Sequence, residues 1–196
     1  MQIHLQHILL KDPKSMGKPI FIRNDFIYFR PLELSDIENG WHTWINHYED
    51  SYFISGFFPK NKNDLKLFLH SHAYPHSMIF AVCDFNDNYL GNARIANIDW
   101  INRSCEFGRF IGSKKVRGQG IGTHVLDLIL ELVFVRFGLN RIQTKVFVDN
   151  EASIRSNTKS GLEIEGTLKS AIFHDGIYKD VIIFGLTREK YLSSKK

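Results

Sequence analysis

Two rhythms of apolar and polar positions divide the chain. In the first half, short apolar runs alternate with polar turns. Phe26-Ile27-Tyr28-Phe29 suits a first strand, and Arg30-Pro31 is expected to break regular structure after it. Ser35-Asp36-Ile37-Glu38 has the S-x-x-E spacing of a capping box, so a helix should begin there. Ile37, Trp41, Trp44 and Ile45 would share its buried face by the helical period. Asn63 or Asp64 is placed to cap a second helix, with Leu65, Phe68 and Leu69 inward and His72 near its end. Residues 78–85 and 89–98 predict a hairpin across Asn86-Asp87-Asn88, and residues 105–111 a further strand after the Asn102-Arg103 turn.

The second half changes period. Residues 123–137 predict one long amphipathic helix ended by Gly138, with Val125, Leu126, Ile129, Leu132, Val133 and Val135 apolar. Residues 141–148 form a β-branched strand, and residues 150–160 a short polar helix with Gly161 as its C-terminal stop. Residues 162–173 and 178–186 close the chain as a hairpin across His174-Asp175-Gly176. The order is strand, two helices, three strands, helix, strand, helix, two strands. It predicts one mixed-sheet α/β domain over residues 21–196, preceded by a peripheral segment, residues 1–20, rich in turn chemistry.

Composition narrows the function classes. Hydrophobic residues make up 43% and charged residues 23%, an ordinary globular balance. The net charge of +4 is scattered, without the dense basic stripe or aromatic–basic interleaving of a nucleic-acid binder. It fits either a solvated surface or one basic region that receives a polyanion. Cys83 and Cys105 lie in apolar strand-like stretches without metal spacing, which predicts buried free thiols and suits a reducing cytoplasm. His70, His72 and His76 have no ligand spacing, so no metal is expected and these rings should be solvated. No run reaches membrane-spanning length, and Ile8-Leu9-Leu10 is too short for a signal-peptide core. The expectation is a cytoplasmic protein.

The most informative segment is Arg117-Gly118-Gln119-Gly120-Ile121-Gly122-Thr123, between the strand at 105–111 and the long helix. Glycines allow close backbone approach, and the first amides of a helix lack internal partners, so the turn can cradle an anion such as a diphosphate. Arg117 adds a charge and Thr123 a hydroxyl. A P-loop would need Gly-Lys-Ser/Thr, which is absent; a dinucleotide fingerprint would need a different glycine spacing after a first parallel strand. The remaining reading is a tight turn with no ligand.

Arg117-Gly118-Gln119-Gly120-Ile121-Gly122 resembles the [Q/R]-x-x-G-x-[G/A] signature of the GNAT acyltransferases, and the element order matches that fold. Asn150 to Leu162 is similar to the family's second motif, with Leu162 where Phe is usual. Glu165-Gly166, Asp175-Gly176-x-Tyr178-x-Asp180 and Trp44-Ile45-Asn46 resemble the branch with ribosomal-protein N-terminal, spermidine and amino-sugar acetyltransferases. The resemblance implies a single-domain, mostly antiparallel mixed sheet that splays at its central parallel strands and is flanked by helices.

It also implies acetyl-CoA as donor. Backbone groups near Phe110 and Ile111 would pair with the pantetheine arm. Amides of Arg117, Gly118, Gln119, Gly120, Ile121, Gly122 and Thr123 would hold the diphosphate. Asn150, with Ser153, would bond the arm, although Asn150 also suits a plain helix cap. The amine would attack the thioester directly in a ternary complex. Glu106 is the candidate base, set against a purely structural ion pair or hydrogen bond for that carboxylate. Asn157 occupies the position where many relatives carry a Tyr acid. An amide cannot donate and recover a proton, so it would orient the thioester, with Tyr178 or water as the proton source. Trp44, Tyr48 and Tyr178 would line the acceptor pocket. The acceptor classes left open are amino sugars or sugar nucleotides, polyamines and protein N-termini. Cys105-Glu106-Phe107-Gly108 resembles enzymes of surface-sugar pathways. A non-catalytic CoA-binding module is the competing reading, and many relatives pair as homodimers.

Overall fold

A computed structural model describes residues 18–54 and 58–195. Eight strands form one sheet in the order β1-β2-β3-β4-β5-β6-β8-β7. They are β1 (Ile22–Arg23), β2 (Tyr28–Pro31), β3 (Met78–Cys83), β4 (Tyr89–Asp99), β5 (Ser104–Ile111), β6 (Arg141–Phe147), β7 (Glu163–His174) and β8 (Ile177–Thr187). Neighbours are antiparallel except β5 and β6. The mixed sheet is thus as expected, with two additions: the two-residue β1 and a terminal helix, α7 (Arg188–Ser193). Most of the expected peripheral segment lies outside the described residues. Of its remainder, Lys18 donates to Glu33 at 3.0 Å and Ile20 packs on the core.

Arg30-Pro31 does not end β2: Arg30 pairs with Ala81 and Pro31 with Phe80. β1 covers only Tyr28 and Phe29, so Pro31 has no second strand to which an N–H would be owed. Phe26 falls outside the strand and stacks on His124.

Helices cover both faces. α5 (Ile121–Glu131) buries Val125, Leu126, Leu128 and Ile129 against Phe29, Val82, Ile95, Phe107 and Ile142. Each such side chain contributes on the order of 1.5–3 kcal/mol, so this face anchors the fold. A π-helical turn, Leu132–Arg136, extends α5 to Gly138, whose φ of +64° ends it. α6 (Glu151–Lys159) lies beside α5, tied by a Ser160 hydroxyl that donates to Asp127 at 3.0 Å. Cys83 and Cys105 are buried free thiols, and burial pushes the Cys105 thiol up to about 12.

The opposite face carries α1 (Leu34–Asp36), a π-helical turn at Ile37–Trp41, α2 (His42–Asn46), α3 (Tyr48–Ser51) and α4 (Lys62–Ser71). The expected single helix from Ser35 is therefore broken. Its box is not Ser35/Glu38: the Glu33 N–H donates to Asp36 at 2.8 Å. Asp36 is drawn inward because the Arg30 guanidinium donates two bonds to it, at 2.6 and 2.7 Å, and both groups are buried. Gly40, at φ +134°, then kinks the path. Ile37 and Trp41 are buried as expected, whereas Trp44 and Ile45 are half-buried. α4 is capped by Asn61, not by Asn63 or Asp64: its Oδ1 accepts from both of those amides, at 2.8 and 2.9 Å. His72 closes α4 and stacks on Phe68 rather than being wholly solvated.

Candidate active site

The parallel ladder between β5 and β6 is short. Ser104 pairs with Arg141, Cys105 with Ile142 and Glu106 with Gln143, and there pairing stops. The next carbonyl, that of Phe107, is capped by the Thr144 hydroxyl at 3.0 Å. Beyond it the strands diverge, while β5 stays paired with β4 as far as Ile111. The Gly112 N–H donates to Leu90 O at 3.0 Å, which fixes the alternation of the ladder. It turns the backbone of Glu106, Gly108 and Phe110 toward β4 and that of Arg109 and Ile111 toward the opening. Ile111 is therefore placed to pair with an extended ligand; the backbone of Phe110 is engaged by Asn92.

Above the opening lies the glycine turn. Gly118 and Gly120 have φ of +75° and +79°, and a Cβ on either would meet nothing within 4 Å. Conformation, not crowding, is what calls for glycine there. The amides of Arg117, Gln119, Thr123 and His124 bond within the turn, to the carbonyls of Lys114, Val116, Gly120 and Gly120. Among the described residues, no partner takes the amides of Gly118, Gly120, Ile121 or Gly122. These open N–H groups stand at the start of an 11-residue helix with no acid in its first turn. That is an anion site of backbone donors and helix dipole. Arg117 is placed otherwise than expected. Its guanidinium donates to Asp50 on α3, whose carboxylate is only 3% exposed and also faces His47 at 3.2 Å and Lys114 at 3.8 Å. The turn is thereby fastened to the opposite helix layer.

Glu106 is the last paired residue before the strands part. Gln143 Nε2 donates to its carboxylate at 3.2 Å, which holds the group at the edge of the opening. Glu106 shares its face of the sheet with Gly108 and Phe110, as strand alternation predicts. Arg94 lies across from Gly108 on β4, with its guanidinium over the Phe68 ring. Burial lowers the Arg94 pKa, and the Glu106 charge opposes that shift. On the α5 face, Arg109 reaches α6: its Nη2 donates to the Ser156 hydroxyl and, at 2.9 Å, to Asn157 Oδ1. Asn157 is buried, and its Nδ2 has no partner among the described residues. Asn150 caps α6, its Oδ1 accepting from the Ser153 N–H at 3.1 Å.

The first helices and the last hairpin meet. The Tyr48 hydroxyl donates to Asp175 in the hairpin turn, and this bond pushes the phenol pKa up to about 12. Tyr52 packs edge-on against Tyr48, and its hydroxyl accepts from Lys179 at 2.7 Å. Lys179 also donates to Asp149, and buried His174 donates from Nε2 to the Tyr52 carbonyl at 3.0 Å. Tyr178 is 69% exposed and packs on Phe173 at the hairpin end. Trp44 is half-buried and tightly packed. Its ring stacks on Tyr89 and is wedged so tightly that a Cβ at Gly112 would meet it at 2.1 Å. Arg109, Asp50, Lys179 and His174 are site residues that the sequence pattern does not point to. For Arg109 the one local signal is a lone Arg within a largely apolar strand.

No group of three or more possible metal ligands occurs among the described residues, and no described helix is long and apolar enough to cross a membrane. Residues 27–163 match the acetyltransferase (GNAT) domain family. An SPbeta prophage-derived uncharacterized N-acetyltransferase of Bacillus subtilis (strain 168) is 27% identical over 135 residues, 68% of this chain and 75% of that protein. The spermidine N(1)-acetyltransferase of Vibrio cholerae serotype O1 is 29% identical over 58% of this chain, an alignment that spans 65% of the relative's own length. The crystal structure of spermidine N-acetyltransferase from Vibrio cholerae in complex with CoA and spermine superposes with a TM-score of 0.80 at 25% identity, covering 86% of this chain and 99% of that one. With a split parallel pair beneath a glycine turn of open amides, and a family match over most of its length, the chain belongs to the GNAT acetyltransferases, enzymes that take acetyl-CoA as donor.

Proposed function

We propose that this chain transfers the acetyl group of acetyl-CoA to a primary amine on a small acceptor that also carries negative charge, such as an amino-sugar nucleotide. The observation that carries the donor half is the set of open amides at Gly118, Gly120, Ile121 and Gly122 above the β5–β6 opening. Diphosphate binds there, and the pantetheine arm enters the opening along the free backbone of Arg109 and Ile111. The thioester then lies near the closed end, where Glu106 stands.

An alkyl ammonium must lose a proton before it attacks. Glu106 accepts that proton, directly or through one water, and Gln143 keeps its carboxylate aimed. The acceptor enters from the face of α3 and the hairpin, past Tyr48, Tyr52 and Lys179. Arg94 on the Glu106 face and the basic balance of the chain favour an anionic acceptor over a polyamine. The spermidine acetyltransferase relative supports the polyamine reading instead, so both classes belong in the test.

The experiment is thiol release from acetyl-CoA with amino-sugar nucleotides, polyamines and N-terminal peptides, run on the wild type and on Glu106→Gln. Release with the nucleotide sugars, reduced about 10²–10⁴-fold in the variant with CoA affinity unchanged, is expected. Release with polyamines alone contradicts the acceptor assignment. CoA binding without release from any amine favours the non-catalytic module.

A further inference from the structure

Resting on the reading that the β5–β6 opening holds the pantetheine arm, we propose that Arg109 stabilises the thiolate that leaves when the acetyl group is transferred. In that step the amine nitrogen bonds to the carbonyl carbon and the carbon–sulfur bond breaks. The electron pair of that bond stays on sulfur; Glu106, having passed the ammonium's first proton to solvent, takes the second proton that the nitrogen loses as the amide forms. A negative charge therefore appears inside the opening, and solvent protonates it only once CoA departs.

Arg109 is the cation built next to that place. Its backbone faces the opening, and its side chain crosses between α5 and α6. Nη2 is used by Ser156 and Asn157, whereas Nη1 is buried and has no partner among the described residues. Its Nε lies 3.6 Å from the point a Cβ on Gly122 would occupy, and its Cζ is 5.8 Å from the Phe107 ring centre. The acid that faces it is Asp127 on α5, which acts at a distance and accepts from Ser160 instead. No carboxylate of the described residues lies within ion-pair reach of Arg109. Burial pushes the guanidinium down to about 10, so it is still a cation at neutral pH.

A buried cation with a spare N–H is costly to keep unless an anion arrives. Asn157 cannot fill the acid's place: an amide releases no proton, and its Oδ1 already accepts from Arg109. A fixed guanidinium needs to release none, because a charge-assisted bond to sulfur lowers the energy of the leaving group directly. Arg109 is thus a catalytic residue that acts on the sulfur, complementary to Glu106 on the amine.

The test uses CoA itself, whose free thiol is the product group. The ultraviolet absorbance of bound thiolate is followed against pH, with the complex of CoA lacking its sulfur as the blank, in wild type, Arg109→Met and Arg109→Lys. The bound thiol is expected to titrate roughly 1–3 pH units lower in wild type than in Arg109→Met, with Arg109→Lys between them. Equal thiol titration in all three proteins overturns the proposal. So does a loss of affinity that is the same for CoA and for its sulfur-free analogue, since Arg109 would then serve the diphosphate or the α5–α6 packing. If the Met variant fails to fold, Arg109→Gln makes the same comparison. Failure of the wild type to bind CoA would overturn the functional reading with it, which separates the two failures.

Discussion

The donor side and the proposed acceptor side of the opening are built from different materials. The donor side is mostly backbone: four open amides at the start of α5 and one free strand edge on β5. The proposed acceptor side is mostly side chains paired across the chain, such as Tyr48 with Asp175, 127 positions apart, and Lys179 with Tyr52, also 127 apart. A backbone site recognises what every donor molecule shares. A side-chain site can be rewritten by substitution without disturbing the fold, which is where acceptor choice would be set.

The largest expected effect tests what holds the acceptor-side helices to the sheet. Asp36→Ala strands the buried Arg30 charge and should cost about 3–5 kcal/mol, read from chemical denaturation. A loss within the range of a surface substitution would mean that this pair does not anchor α1. Next, Gly120→Val places a β-branched residue at φ +79°. Strain of about 1–3 kcal/mol should weaken CoA binding roughly 5- to 150-fold in calorimetry, with acceptor KM unchanged in the residual activity. Tyr48→Phe should do the reverse: a few-fold rise in acceptor KM and unchanged CoA affinity. Movement of both constants in either variant would blur the division between the two sides.

The smallest effect is one of pH. Its Arg141 hydrogen bond holds the Glu165 carboxyl below its ordinary 4.5. That contribution to stability is therefore complete above the ordinary carboxylate range and is lost as pH falls through the lower folded value. Glu165→Gln should flatten the acid limb of a stability–pH profile, and an unchanged limb would leave the pair without thermodynamic weight.

This division also explains what could be read from the sequence. Gly118, Gly120, the Asn150 cap and the strand that carries Glu106 are local signals, each fixed by φ, capping geometry or a period of two. The same logic failed where a distant partner won. The Ser35/Glu38 box lost to Glu33/Asp36 because Asp36 is claimed by Arg30, and Trp44 was claimed by the gaps at Gly40 and Gly112. Arg117, plausible as a cradle charge, is committed to Asp50, 67 positions away. Arg109 carried no periodic signature at all, since its partners Ser156 and Asn157 meet it only after the sheet has split.

The most direct test of the donor site is a ¹⁵N-resolved NMR titration of the protein with acetyl-CoA. The amides of Gly118, Gly120, Ile121 and Gly122 should show the largest downfield shifts, together with Ile111 on the strand edge. Those of Gln119, Thr123 and His124, already bonded within the turn, should move less. Saturable binding that leaves the four open amides unshifted would contradict the account.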